Sequence, residues 1–363
     1  MRIDVIHPDD LGPSEITAWH QMQKATPSFA DPSLSPEYAM AVGRFRPQSR
    51  VAVLLDGQHV AGFFAFEPRR LGVAVPISGW LSTCQGVVHA PDVQWNTREL
   101  LRGCGLSAWH FDNLIAEQAV FASCRADISL SPVIDLTAGF DSYYARLRAF
   151  DHGLCREIER KSRKLAREIG EVRLERDSRD PDVLSLLMQW KSEQYRQTDH
   201  VDRFARPWVA GLLHAMLAER SGHLSGLLSV LYAGDQPVSI QFGLRAEEVL
   251  VGWFTGYDRA FSKYSPGVLQ IKMMAEALGG LGVETLYMGK GASSVRAFKT
   301  RDVEVGAGTV TAQSVLGITH RALKDISQQA LQAVRRHPAL HRAADQVLRN
   351  SGVSSRVYGK ILS

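Results

Sequence analysis

The sequence predicts an α+β protein of two similar units, each a mixed, mostly antiparallel sheet flanked by helices. Three observations support this. The segments VAVLLDGQHVAGFFAFE (Val51 to Glu67) and LSVLYAGDQPVSIQFGL (Leu228 to Leu244) share an apolar strand, a turn and a second apolar strand. Their turn glycines, Gly57 and Gly234, sit in Asp-Gly and Gly-Asp signals and lie about one domain length apart. Around both hairpins, strands and helices follow one another with few crossovers, which argues against a doubly wound parallel sheet.

In chain order, PEYAMAVGRF (Pro36 to Phe45) has helical spacing and precedes the first hairpin, and TRELLRGCGL (Thr97 to Leu106) is helical after it. SPVIDL (Ser131 to Leu136) reads as a strand running into a helix over Gly139 to Phe150. The alternating charges of Arg156 to Arg176, eight basic and five acidic, suit a solvated helix laced with Glu–Arg and Glu–Lys pairs. Helices follow over Asp180 to Gln197 and Arg206 to Glu219, then the second hairpin and a strand at Val249 to Thr255. A helix opens near Gly267, with strands at Thr285 to Met288 and Val303 to Gln313. Beyond that, Leu323, Ile326, Ala330, Leu331 and Val334 form one helical stripe, and Leu340, Ala343, Ala344, Val347 and Leu348 another. The expected organisation is an N-terminal unit over 1–150, a C-terminal unit over 151–315 and a basic helical extension over 316–363.

Composition narrows the function. At 45% hydrophobic and 22% charged, the chain is ordinary for a soluble protein. The opening residues MRIDVIHPDDLGPSE lack a secretory pattern, and no apolar run reaches the ~18 residues of a membrane span. Cys84, Cys104, Cys124 and Cys155 show no paired or CxxC spacing, which predicts reduced thiols in a cytoplasmic protein. Charge is concentrated in the tail from Arg321, with eight Lys or Arg against two Asp. That tail permits peripheral contact with an anionic membrane surface, but it lacks the interleaved aromatics of a nucleic-acid binder. GKGASS (Gly289 to Ser294) has Glu284 where a phosphate loop needs glycine, and HPALH (His337 to His341) lacks the glutamate of a zinc helix. No metal site is expected.

The informative stretch is YSPGVLQIKMMAEAL (Tyr264 to Leu278), directly after the strand-like EVLVGWFTGYD (Glu248 to Asp258). A helix N-terminus presents unpaired N–H groups and the positive end of the helix dipole, so it holds phosphate without a lysine. Gly267 clears the approach, Pro266 costs nothing in a first turn, and Ser265 can cap the helix or donate to an anion.

The order of hairpin, strand, Ser-Pro-Gly helix, strand and Gly-rich turn resembles the GNAT (Gcn5-related N-acetyltransferase) superfamily. The stretches SPVIDL…GFDSYYARL, RKSRKLAREIGEVRLER, FTGYDRAFSKYSPGVLQ and LYMGKGASSVRAFK resemble its tandem-domain CelD-like branch, associated with cellulose and exopolysaccharide synthesis. The resemblance implies acyl transfer from acyl-CoA, acetyl or longer, to an amine by direct attack in a ternary complex. The acceptor would be a sugar, amino-acid or lipid amine. It places the cofactor pyrophosphate by Tyr264 on the amides of Ser265, Gly267, Val268 and Leu269, and the thioester carbonyl near Phe254 and Thr255. Tyr257 and Asp258 are candidates for the base. Tyr287 or Tyr264 would protonate the departing thiolate. The family's Tyr-Lys pair after the Gly-rich turn is Val295-Arg296 here, so Arg296 becomes a candidate for binding an acidic acceptor or a phosphate. The first unit lacks an equivalent helix start and is expected on the acceptor side. Two alternatives stay open: a non-catalytic GNAT-fold scaffold of a polysaccharide-synthesis complex, and a Fem-type aminoacyltransferase using aminoacyl-tRNA.

Overall fold

Both predicted hairpins form, and they are the centres of two copies of one strand pattern. In the first half of the computed structural model, β1 (Arg2–Ile6), β2 (Arg50–Asp56), β3 (His59–Pro68) and β4 (Val73–Pro76) pair antiparallel in turn. The two-residue β5 (Val88–His89) adds to β3, and β6 (Ala108–Ile115) runs parallel to β4. The half closes with β7 (Arg125–Asp135). In the second half, β8 (Val172–Ser178), β9 (Ser225–Ala233), β10 (Gln236–Ala246) and β11 (Val249–Tyr257) again pair antiparallel. There β12 (Thr285–Tyr287) is parallel to β11, and β13 (Arg301–Thr311) closes the half.

The closing strands are exchanged. β7 of the first half pairs with β12 of the second, while β13 stands between β6 and β7. The result is one continuous mixed sheet, mostly antiparallel, within a compact unit spanning Met1–Val310. The structure describes residues 1–198, 200–290 and 293–312. The predicted helical stripes from Leu323 to Leu348 lie outside the described residues.

The exchange requires close backbone approach. At the β13 bulge, a Cβ on Gly308 would sit 2.1 Å from the Cys124 carbonyl oxygen and 2.8 Å from the Phe111 ring. Gly308→Val is therefore expected to cost roughly 1–3 kcal/mol by overpacking, read as a lower urea midpoint with an unchanged slope.

Helices cover the sheet: α1 (Pro13–Ala25), α2 (Pro36–Phe45), α3 (Thr97–Gly103), α4 (Gly139–Phe150), α5 (His152–Glu168), α6 (Pro181–Gln197), α7 (Pro207–Ala218) and α8 (Pro266–Leu278). One core joins α1, α2, α6 and α7 to the sheet through Trp19, Tyr38, Leu187, Leu213, Phe63 and Phe242. A second packs α4, α5 and α8 on the opposite face of the second half through Tyr143, Leu165, Met274 and Leu231. Each such side chain contributes about 1.5–3 kcal/mol by leaving water. Among the described residues, no helix is long and apolar enough to cross a membrane.

One expectation is corrected. Arg156 to Arg176 is not a single helix. α5 ends at Glu168, Gly170 adopts φ 148°, which only glycine takes without strain, and β8 begins at Val172. The period-two order of Val172-Arg173-Leu174-Glu175 outweighs the continuing run of charge. Within α5 the expected pairs form, with Arg160 2.7 Å and Lys161 3.6 Å from Glu157.

Candidate active site

β11 and β12 run together only briefly, from Val249 opposite Thr285 to Val251 opposite Tyr287. β12 then ends, and the Met288 N–H donates to the Pro132 carbonyl oxygen of β7 at 3.0 Å. β11 continues to Tyr257, so among the described residues Gly252 to Tyr257 has no strand partner on that side. A wedge therefore opens in the middle of the sheet, bordered by unpaired backbone of β11.

Beyond β11 the chain makes a 3-10 turn over Arg259–Tyr264, with the Asp258 carboxylate accepting from the Ala260 N–H at 2.9 Å. Ser265 follows in the left-handed region, φ 54° and ψ 55°, an uncommon conformation for a residue with a Cβ. α8 then starts at Pro266, its first turn beside the wedge.

The hydrogen bonds of this start can be counted amide by amide. The Ser265 N–H donates to the Ser262 carbonyl oxygen, and the Val268 and Leu269 N–H groups both donate to the Ser265 carbonyl oxygen. Pro266 has no N–H. Among the described residues, the Gly267 N–H alone in this turn has no acceptor. A Cβ at Gly267 would meet nothing within 4 Å, so open space lies on the side of the residue where a side chain would stand. The Ser265 side chain does not cap the helix. Its Oγ instead accepts from Lys161 Nζ of α5 at 2.6 Å. Lys161 was not among the residues singled out from sequence. A free amide thus stands two residues from a hydroxyl that holds an ammonium group, and together they are a suitable donor set for a phosphate oxygen.

The other singled-out residues fall into distinct environments. Phe254 is buried against Phe204, with ring centroids 4.9 Å apart, while Thr255 and Tyr257 are exposed at the end of β11. Tyr264 is buried and its hydroxyl donates to Glu168 Oε2 at 2.6 Å, so it faces α5 rather than the wedge. Glu168 is held below the usual carboxylate range by that hydrogen bond first and then by Lys263. Tyr287 ends β12 at the wedge, half-buried. Burial pushes its hydroxyl up, and the nearby Asp31 charge adds to this. Arg296 lies 3.4 Å from Asp302, which also accepts from Lys299. Its charge is therefore already shared.

A strand pair that splays in mid-sheet, with a helix start beside the gap, leaves a cleft bordered by backbone donors and acceptors. Residues 154–300 match the model of the acetyltransferase (GNAT) domain. That span covers α5, β8 to β12 and the α8 start, the elements that build the wedge. No curated protein sequence matches the chain. Among solved structures, the chain resembles the C-terminal DUF2156 domain of an Agrobacterium fabrum protein named for lysylphosphatidylglycerol synthesis. The TM-score is 0.52 at 12% identity, over 85% of this chain and 95% of that one. It also resembles FemX, with TM-score 0.52 and 10% identity over 84% and 96% of the two chains. A Bacteroides thetaiotaomicron protein of unknown function gives 0.50 at 10% identity, over 81% and 97%. At these identities the likeness is one of fold, and the fold is of the GNAT type.

Proposed function

We propose that the chain is an N-acyltransferase that moves an acyl group from a CoA thioester to an amine by direct attack. The observation that carries this reading is the open, unpaired Gly267 amide with Ser265 Oγ and Lys161 Nζ beside it, at the mouth of the β11–β12 wedge. In this reading the pyrophosphate rests on these donors and the pantetheine arm runs along the unpaired edge of β11. The thioester carbonyl meets backbone N–H groups near Phe254 and Thr255, which stabilise the developing oxyanion. In this reading Tyr287, the last residue of β12, protonates the leaving thiolate. Tyr264, which already donates to Glu168, does not. Asp258 serves as a turn cap, and Tyr257 stays an exposed candidate at the acceptor side.

The CelD-like placement, with a sugar or lipid amine as acceptor and the 316–363 tail on an anionic membrane, belongs to the same proposal and rests on the sequence stretches. A Fem-type aminoacyl donor is the second reading. The basic side of α5 favours it, since Lys164 lies one turn from Lys161 on the same side of the helix.

The test is amine-dependent release of CoA thiol from acetyl-CoA and palmitoyl-CoA, followed with a thiol reagent. Turnover with either thioester supports the proposal. If neither is turned over or bound while aminoacyl-tRNA is retained, the second reading replaces it. Lys161→Gln is expected to weaken CoA binding about tenfold, since one hydrogen bond to a charged group is worth about 1.5–3 kcal/mol. The same change should leave the unfolding midpoint within a degree or two, because Lys161 is partly exposed and its pairing with Glu157 is a surface one.

A further inference from the structure

A buried carboxylate normally has a cation beside it, because an isolated charge is costly away from water. Asp31, between α1 and α2 in the first half, does not. It is 7% exposed, and its hydrogen-bond donors are neutral: the Ser33 N–H at 2.8 Å and Thr83 Oγ1 at 3.1 and 3.2 Å. Among the described residues no Lys, Arg or His pairs with it. The hydroxyls form a short chain, with Ser33 Oγ 2.5 Å from Thr83 Oγ1 and accepting from the Thr83 N–H at 3.2 Å.

The position of this carboxylate gives it meaning. The segment that follows Asp31 packs against β10, and the Asp31 charge acts on the Tyr287 hydroxyl and the Cys84 thiol. The segment that follows Asp31 thus lies, from the first half, against β10, the strand next to β11. A second, independent group stands there. Gln241 of β10 is 7% exposed, and its Oε1 has no hydrogen-bond partner. Its amide lies 3.3 Å from where a Cβ on Gly252 would be, and the Tyr287 carbonyl oxygen lies 3.6 Å from the same point. Among the described residues, Gln241 Oε1 therefore lacks a donor, and Asp31, held by neutral donors alone, lacks a cation. A ligand rich in N–H groups and carrying positive charge satisfies both. An alcohol, with one proton and no charge, does not.

We propose that Asp31, acting with Thr83, receives the acceptor's ammonium group and takes its proton, so that the acceptor is a primary amine held by both halves of the chain. This deepens the acyltransferase reading and rests on it. The ammonium gives one proton to Thr83 Oγ1 as the Thr83 proton passes to Asp31, which frees the nitrogen lone pair. Nitrogen then forms the C–N bond to the thioester carbon and the C–S bond breaks. A second nitrogen proton reaches the departing sulfur through the Tyr287 hydroxyl, and Asp31 returns its proton to solvent. The products are an amide, free CoA thiol and one proton.

Burial holds the Asp31 carboxyl above its ordinary range, partly offset by the Ser33 and Thr83 hydrogen bonds, with Tyr38, Cys84 and Tyr287 as its titratable neighbours. A carboxyl whose pKa folding raises adds stability only while protonated. Its contribution is full below the ordinary value and is lost as pH rises through the folded one. Asparagine caps a turn as well as aspartate, so Asp31→Asn is expected to fold and to have a midpoint at pH 7.5 equal to or above that of the unsubstituted protein.

The experiment compares thermal midpoints of the full chain and Asp31→Asn in methylammonium chloride and in tetramethylammonium chloride at matched ionic strength, each with and without CoA. The expected result is a higher midpoint in methylammonium than in tetramethylammonium for the unsubstituted chain, no such difference for Asp31→Asn, and an equal CoA-induced rise in both. An identical response of the two proteins to the two salts would overturn the proposal, as would a midpoint for Asp31→Asn several degrees below the parent, the mark of a purely structural aspartate. A missing CoA rise in both proteins would count against the acyl-CoA reading, while the salt comparison would still report on Asp31.

Discussion

Gly267→Glu is expected to weaken CoA binding about 100-fold or more while the protein becomes no less stable. The two effects have separate causes at one position. A Cβ there meets nothing within 4 Å, so the substitution strains no neighbour. Replacing a helical glycine gains roughly 0.5–1 kcal/mol, and a carboxylate in a first turn gains a further 0.3–1 kcal/mol or so from the helix dipole. The same carboxylate would lie before the free Gly267 amide and close to Lys161, where it would occupy the donors offered to the pyrophosphate and repel its charge. A loss of about 2.7 kcal/mol corresponds to the 100-fold effect. Gly267→Ala is the control, since a methyl group in open space keeps the amide accessible. Titration calorimetry with CoA and a thermal melt on the same three samples separate the two effects. Weaker binding together with a lower midpoint would mean that Gly267 serves the fold instead.

Glu67→Ala is expected to cost about 3–5 kcal/mol, the range for removing one partner of a buried ionic group. The Glu67 side chain of β3 is 1% exposed and is held by donors from four residues. Arg46 Nη2 lies at 2.7 Å, Arg69 Nη2 at 3.0 Å, Gln48 Nε2 at 3.2 Å and the Ser78 N–H at 3.0 Å. Removing the carboxylate leaves Arg46 part-buried without its acceptor and frees the Ser78 turn. The effect extends towards the acceptor side, because Ser78 Oγ meets the Tyr38 hydroxyl at 2.6 Å, and that contact ties the segment carrying Asp31 to the one carrying Thr83. Urea unfolding should show a lowered midpoint, and the methylammonium response attributed to Asp31 should weaken as well. Glu67→Gln, which keeps the shape and part of the hydrogen bonding, should lie between the two.

Much of the second half was legible in the sequence. The hairpin around Gly234, the strand from Val249 and the helix start at Ser265-Pro266-Gly267 each depend on local pattern and turn chemistry. α2 and α4 end where their spacing predicts. The first half was less legible. β1, β4 and β6 were not read from sequence, because the first two are short and β6 places His110, Asp112 and Asn113 among its apolar residues. The strand exchange is a matter of partners rather than propensity, so no local signal marks β7 or β13 as crossing between halves.

The candidate site divides in the same way. Gly267 follows from helix physics, but Lys161 is 104 residues from Ser265 and is seen only once α5 packs beside α8. Asp31 sits in the unremarkable stretch Asp31-Pro32-Ser33-Leu34, and its interest arises wholly from what surrounds it, above all from the lack of a cation among the described residues. Tyr264 shows the converse. It stands in the most suggestive stretch of the sequence, yet its hydroxyl is committed to Glu168.

The central claim is that the start of α8 receives the CoA pyrophosphate, and the most direct measurement is the amide signal of Gly267. With the full chain labelled with 15N-glycine, and Gly267→Ala used to assign the peak, CoA and pantetheine would be titrated separately. The account predicts a large downfield shift of the Gly267 amide proton with CoA, as its free N–H gains a charged acceptor, and almost none with pantetheine, which lacks the pyrophosphate. CoA binding that moves other glycine signals and leaves Gly267 in place would contradict it.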